Sequence, residues 1–218
     1  MNKHLYFLLI LSLFFCSCNH HSTDKNTTSK GFEFATAQLK FAIAEINKTT
    51  SDSTHKSISE NKIPVSPRSM DSQGNLIMVP SRDWTSGFFP GELWYMYEYT
   101  KDSYWKEMAQ QYSAPIEQEK SNGKTHDMGF KVYCSFGNGY RLTNDESYKS
   151  ILLESANTLI TRYKPNAKII RSWDHNKDKW QCPVIIDNMM NLELLFWAFK
   201  ETNDPTYYNI AVDHATTT

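Results

Sequence analysis

Thr100-Lys101-Asp102-Ser103-Tyr104-Trp105-Lys106, Thr143-Asn144-Asp145-Glu146-Ser147-Tyr148-Lys149 and Thr202-Asn203-Asp204-Pro205-Thr206-Tyr207-Tyr208 are three versions of one phrase, and its recurrence decides the fold. Each version sets an aspartate ahead of a helical pattern, with an aromatic residue three positions further on. Aspartate makes a good helix N-cap because its carboxylate accepts from backbone N–H groups that lack a partner in the first turn. Pro205, directly after Asp204, suits a first helical position, which needs no N–H donor. Every phrase therefore predicts a turn that opens a new helix. After Asp145 the pattern is one-sided, with Tyr148, Leu152, Ala156, Leu159 and Tyr163 on a single stripe. The stretches 88–99 and 185–199, which lead into the first and third phrases, are apolar almost all round, as helices covered on both sides are. A buried helix, a capped turn and an amphipathic helix, repeated, make a stack of helical hairpins. Repeats of this length form a solenoid or a closed toroid, and the predicted class is all-α.

Outward from the repeat, the chain is less regular. Residues 32–47 carry Phe34, Ala37, Leu39, Phe41, Ala44 and Ile46 on a helix-like pattern. Residues 49–71 are polar and hold Pro64 and Pro67, which reads as a long surface excursion. Residues 19–31 are polar and read as a tether that cannot support a core. Ahead of them, Asn2, Lys3 and His4 precede the apolar run 5–15, too short to span a bilayer, so residues 1–18 read as a secretory signal. Ser17 before Cys18 is what bacterial lipoprotein signals look like, making Cys18 the acylated residue of an envelope lipoprotein, periplasmic or associated with the outer membrane. A plain secretory signal containing two cysteines is the simpler alternative.

Of 218 residues about 200 remain for the body, and aromatics make up 14% of the chain. A net charge of −1 gives no basic surface for nucleic acid, so an acidic substrate needs local cations rather than a global field. Cys134 and Cys182 are the cysteines of the body; two buried free thiols are expected, although an oxidising compartment permits a disulfide.

The unusual residues precede the buried helices. Trp84 lies eighteen residues before Asp102, Asp127 eighteen before Asp145, and Asp187 seventeen before Asp204. They occupy equivalent places in successive hairpins, and neighbouring inner helices of a toroid run parallel. One aromatic and two carboxylates are thus expected at one mouth of the ring, as a sugar site requires. Each residue has a plainer reading: either aspartate could be a helix cap, His126 a structural histidine, Trp84 and Trp173 core aromatics. Asp187, however, stands among Val184, Ile185, Ile186, Met189 and Met190, where a carboxylate is costly unless paired or protonated.

Three stretches, residues 83–94, 126–130 and 187–192, resemble the unsaturated glucuronyl hydrolases of glycoside hydrolase family 88. The resemblance runs from about residue 30 to 218 and implies an (α/α)6 toroid of six helical hairpins, of which about the first half lies in residues 32–218. It implies hydrolysis of a 4,5-unsaturated uronic acid at the non-reducing end of a lyase-made oligosaccharide. Asp187 takes the acid/base role by this resemblance, Asp127 is a second essential carboxylate, and His126, Trp84 and Trp173 line the sugar pocket. No metal or other cofactor and no protein partner are expected; the partners are the oligosaccharide and, through Cys18, the membrane. Members of the family are about twice as long as this chain's body, so the sequence reads as truncated, with about seven helices and a fragment inactive by itself. The terminal hairpin is then expected to present Leu194, Leu195, Trp197 and Phe199 with few or no partners beyond it.

The implied chemistry is economical. A C4=C5 double bond conjugated to the ring oxygen is an enol ether, so protonation at C4 creates oxocarbenium character at C5, where water attacks. The hemiketal then collapses and expels the rest of the sugar. One carboxyl can give the first proton and take one from the water. Two other readings are an unsaturated galacturonyl hydrolase on the same fold and a non-catalytic glycan-binding lipoprotein. The second of these has no use for an aspartate inside an apolar run.

Overall fold

The computed structural model describes residues 21–51, 63–176 and 178–218. The signal, Cys18 and the start of the tether lie outside them, as do residues 52–62 of the polar stretch after residue 49. Two compact units divide the chain, Met1–Ala44 and Glu45–Thr218, and the boundary falls within helix α1 (His21–Ser51). The expected helix at 32–47 therefore forms but starts earlier, so that part of the tether is helical. Phe34 and Phe41 on it are exposed, against expectation, while Ile43 and Ile46 are buried. Among the described residues no helix is long and apolar enough to cross a membrane.

Three helical hairpins build the second unit. Helix α2 (Phe88–Thr100) packs on α3 (Ser103–Ser113), which runs on as a 3-10 segment (Ala114–Ser121). A π-helical segment (Gly129–Gly137) continued by α4 (Asn138–Thr143) packs on α5 (Glu146–Ile160), and α6 (Asn188–Thr202) packs on α7 (Pro205–Thr217).

The three hairpin turns are copies of one another, and they explain the repeated phrase. Thr100, Thr143 and Thr202 each donate their hydroxyl back to the carbonyl four residues earlier, at 2.7, 2.7 and 2.8 Å. The same oxygens accept from the backbone N–H of Asp102, Asp145 and Asp204. Between them Lys101, Asn144 and Asn203 take the left-handed conformation, with φ of 58°, 55° and 58°, which stops the first helix. Each aspartate then caps the next helix by accepting from the N–H two residues on, as the sequence predicts.

Met128, Val132 and Phe136, Leu152, Ala156 and Leu159, and Leu192, Leu194 and Leu195 interlock in the core between the second and third hairpins. Leu194 and Leu195 are fully buried, so the terminal hairpin does not present them, and Trp197 packs edge-on to Tyr140 of the preceding hairpin. These helices cover their neighbours within the unit.

Two small antiparallel ribbons interrupt the all-α expectation. β1 (Pro64–Met70) pairs with β2 (Leu76–Pro80) through a turn in which the Asp71 carboxylate accepts from the N–H of Gln73 and Asn75. The surface excursion expected across 49–71 thus ends in a strand. Prolines mislead there: Pro64 and Pro67 sit in a two-stranded ribbon, where every strand is an edge and a missing donor is tolerated. The second ribbon, β3 (Tyr163–Lys164) with β4 (Ile169–Ile170), buries Ile169 and Ile170 beside α7. Cys134 and Cys182 are free and half-buried.

Candidate active site

The site gathers at the N-terminal ends of the π segment and α6. Their close approach is built on glycine: a Cβ on Gly129 would stand 2.6 Å from the Cα of Asn191, and one on Gly87 would stand 2.2 Å from the carbonyls of Phe130 and Lys131. Asn191 locks the first contact by accepting from the N–H of Phe130 at 3.0 Å. The glycines of the sequence motifs therefore serve backbone-to-backbone packing, which holds Asp127 and Asp187 at fixed separation.

His126 lies between the two carboxyls. Its Nε2 is 3.0 Å from Asp127 Oδ1 and 3.7 Å from Asp187 Oδ1, and its own side chain is only 4% exposed. Neither aspartate is a helix cap: Asp187 stands at the cap position of α6 without a capping hydrogen bond, and Asp127 accepts a short hydrogen bond from the Thr125 hydroxyl. The plain reading of both as caps fails.

Their environments differ. Burial pushes the Asp127 carboxyl up, but His126, the Thr125 hydroxyl and the Lys131 ammonium together hold it below the ordinary carboxylate range. Burial raises the Asp187 carboxyl; His126 pulls the other way, and the charge of Asp127 adds to the rise. The apolar run explains this only in part: burial is the first cause, as read, but three of its side chains do not supply it. Ile185, Ile186 and Met190 point outward, and the Asp187 side chain is 40% exposed, so it faces an opening rather than a core.

Trp84, on the turn before α2, is half exposed and packs edge-on to Phe88 and against Phe130, with ring centres 5.8 and 5.7 Å away. It is thereby brought beside the strand of chain that carries Asp127. Asp83 fixes this turn by accepting from the Thr85 N–H and hydroxyl and from Arg68 of β1, so the unforeseen ribbon buttresses the site. Trp173 is stacked on His175, at 5.2 Å, in the loop before α6. Its neighbour Ser172 accepts from the N–H of Ile185 and donates its own N–H to Pro183, which ties that loop to the approach to Asp187.

Several participants escaped the sequence reading. Thr125 stands just ahead of the 126–130 motif, and Lys131, in Phe130-Lys131-Val132, is a charge within an apolar run. Lys131 is wholly buried and donates to Glu119 at 2.7 Å; Ser81 and Asn122 also donate to that carboxylate. A lysine interrupting an apolar run was the available signal. His126, Asp127 and Asp187 are also the grouping among the described residues whose ligand atoms, within 4.8 Å of one another, could hold a metal ion. Chemically the same set, an imidazole with one carboxyl pushed down and one pushed up, is suited to moving protons.

Residues 55–218 match the model of Glycosyl Hydrolase Family 88. Over its whole length the chain is 46% identical to an unsaturated glucuronyl hydrolase of Formosa agariphila, covering 53% of that protein. It is 34% identical to one from Bacillus sp. GL1, over 68% of this chain and 41% of the relative. Among solved structures, an unsaturated glucuronyl hydrolase specific for heparin superimposes with a TM-score of 0.68 at 39% identity, over 82% of this chain and 46% of the other. The chain thus spans about half the length of the relatives it matches, and its helical hairpins are those of their toroid. By sequence and by fold, it belongs to glycoside hydrolase family 88.

Proposed function

We propose that the protein removes a 4,5-unsaturated uronic acid from the non-reducing end of oligosaccharides left by polysaccharide lyases. The single observation that carries this reading is the pair of carboxyls around His126, one raised and one lowered, beside the exposed ring of Trp84. Asp187 is the acid/base: its raised carboxyl keeps a proton for C4 and, once ionised, takes one from the water that attacks C5. Asp127 is the anion that supports the proton on Asp187 and the developing positive charge of the ring. Trp84 and Trp173 supply flat apolar faces for the sugar, and His126 holds the two carboxyls in register. The relative specific for heparin supports a glycosaminoglycan source for the substrate.

The test is hydrolysis of lyase-made disaccharides from heparin and chondroitin in oxygen-18 water, by the protein at its full natural length. Label at C5 of the opened uronic acid is the expected result. Label at C1 of the released sugar means protonation of the glycosidic oxygen, as in ordinary glycosidases, and overturns the mechanism. For location, the reading is a lipoprotein anchored through Cys18 in the cell envelope. Metabolic labelling with a fatty acid should mark the wild-type protein and leave a Cys18→Ala variant unmarked; labelling of both removes Cys18 as the anchor.

A further inference from the structure

We propose that Arg162 is a positioning residue of the sugar site: its guanidinium clamps the loop that carries Trp173 to the chain that leads into Asp127, and so sets where the Trp173 face stands. The part given to Trp173 rests on the function proposed above. Arg162 lies where the chain leaves α5 and turns into β3. Its side chain is 2% exposed, and a cation so enclosed is costly unless its donors find acceptors. Three separate positions supply them. Nε donates to the Arg171 carbonyl at 2.7 Å, and Nη1 donates to the Gly123 carbonyl at 2.6 Å and to the Asp174 carboxylate at 3.0 Å. The backbone repeats the first link, since the N–H of Arg171 donates to the Arg162 carbonyl at 3.1 Å.

Trp173 thus stands between two residues, Arg171 and Asp174, that one guanidinium holds, and Arg171 pairs with Asp174 as well. Gly123, the third residue held, lies on the chain that runs directly into Thr125, whose hydroxyl donates to Asp127. A planar guanidinium can bridge these positions because its donors diverge in a fixed fork, whereas a lysine ammonium is a single point. The two ends of the clamp are not equally free. The Asp127 side has its own lock in the approach of Gly129 to Asn191. The Trp173 ring is stacked on His175, an exposed residue of the same loop, which gives it no hold on the rest of the protein. Loss of Arg162 therefore releases the sugar face and leaves the carboxyls in place. The fold should tolerate that loss, because Gly123 is exposed and the Asp174 side chain is 31% exposed, so water can replace the lost donor at both.

Fluorine spectra of the full-length protein labelled with 5-fluorotryptophan test the clamp without needing turnover, with Trp173 assigned by its loss in Trp173→Phe. Arg162→Met should shift or broaden the Trp173 resonance and leave those of Trp94 and Trp105, buried in the first hairpin, in place. Arg162→Lys keeps a charge beside Asp174 but loses the fork; it should behave the same way, and it serves if Arg162→Met does not fold. On an unsaturated disaccharide either variant should raise KM by about three- to tenfold with kcat little changed. Added to Trp173→Ala, the Arg162 substitution should raise KM no further, because the ring it positions is gone. An unmoved Trp173 resonance, a fall in kcat at constant KM, or KM effects of the two substitutions that multiply would each overturn the proposal. If the wild type fails to hydrolyse unsaturated disaccharides, the functional reading falls while the fluorine spectra still decide whether Arg162 positions Trp173.

Discussion

Asp127 and Asp187 address the same imidazole nitrogen, at 3.0 and 3.7 Å, yet their surroundings push the two carboxyls in opposite directions. The difference follows from partners. Burial raises both; His126, a hydroxyl donor and a buried ammonium bring Asp127 back down, whereas Asp187 has the anion of Asp127 beside it. Two like groups become an acid and a base when their environments separate them.

Asp187→Asn is therefore expected to lower turnover by about 10²–10⁴-fold, the usual worth of acid–base assistance. The fold should survive, because the side chain makes no capping hydrogen bond and is 40% exposed. Steady-state rates with a circular dichroism melt check both halves. Retention of more than about a tenth of the wild-type rate removes Asp187 from the acid/base role.

The pH dependence has a definite sign. The proposed mechanism requires a protonated Asp187, so its carboxyl, raised by burial first and further by the charge of Asp127, is expected to set the alkaline limb. Asp127→Asn deletes the anion and lets Asp187 ionise at lower pH. Carbon-13 titration of the Asp187 carboxyl in the two proteins measures this directly. A midpoint unchanged or moved upward contradicts the coupling.

Chelation distinguishes proton chemistry from metal chemistry at the same three residues. A divalent cation among His126, Asp127 and Asp187 would favour both carboxylates in their charged form and leave no proton on Asp187. Turnover is expected to survive exhaustive treatment with a chelator. Loss of activity that returns with an added divalent cation would place a metal in the site.

The sequence and the structure agree where a pattern has one physical meaning. Thr-x-Asp repeats because a single hydroxyl closes one helix while the aspartate beside it opens the next, and three copies were enough to read the hairpins and the shared position of Asp127 and Asp187. Legibility failed where meaning depends on partners far along the chain. Pro64 and Pro67 look like loop residues until a strand pairs with one side of them. Ile185, Ile186 and Met190 look like core until the chain turns them outward, so the raised carboxyl of Asp187 was expected for a reason only partly right. His214 gives no sign of its burial, since its hydrogen-bond partner Ile170 comes from another element.

Lys131 and Glu119 carry the last prediction. Their 2.7 Å ion pair is almost sealed from solvent, with side chains 0% and 6% exposed, and it joins the π segment to the 3-10 segment and, through Ser81, to the end of β2. Removing one member of such a pair strands the other charge, which costs about 3–5 kcal/mol, whereas replacing both is close to neutral. Lys131→Met should thus be strongly destabilising, and adding Glu119→Gln should recover much of the loss. Urea unfolding of the two single variants, the double variant and the wild type gives the coupling. Purely additive effects would mean that the pair contributes only packing. The same ammonium helps to hold Asp127 ionised, and the Asp127 carboxyl of Lys131→Met should titrate at higher pH than in the wild type. The double variant recovers stability but not that ammonium, so its Asp127 carboxyl should stay high. A midpoint that returned together with stability would show that Lys131 acts on Asp127 through packing and not through charge.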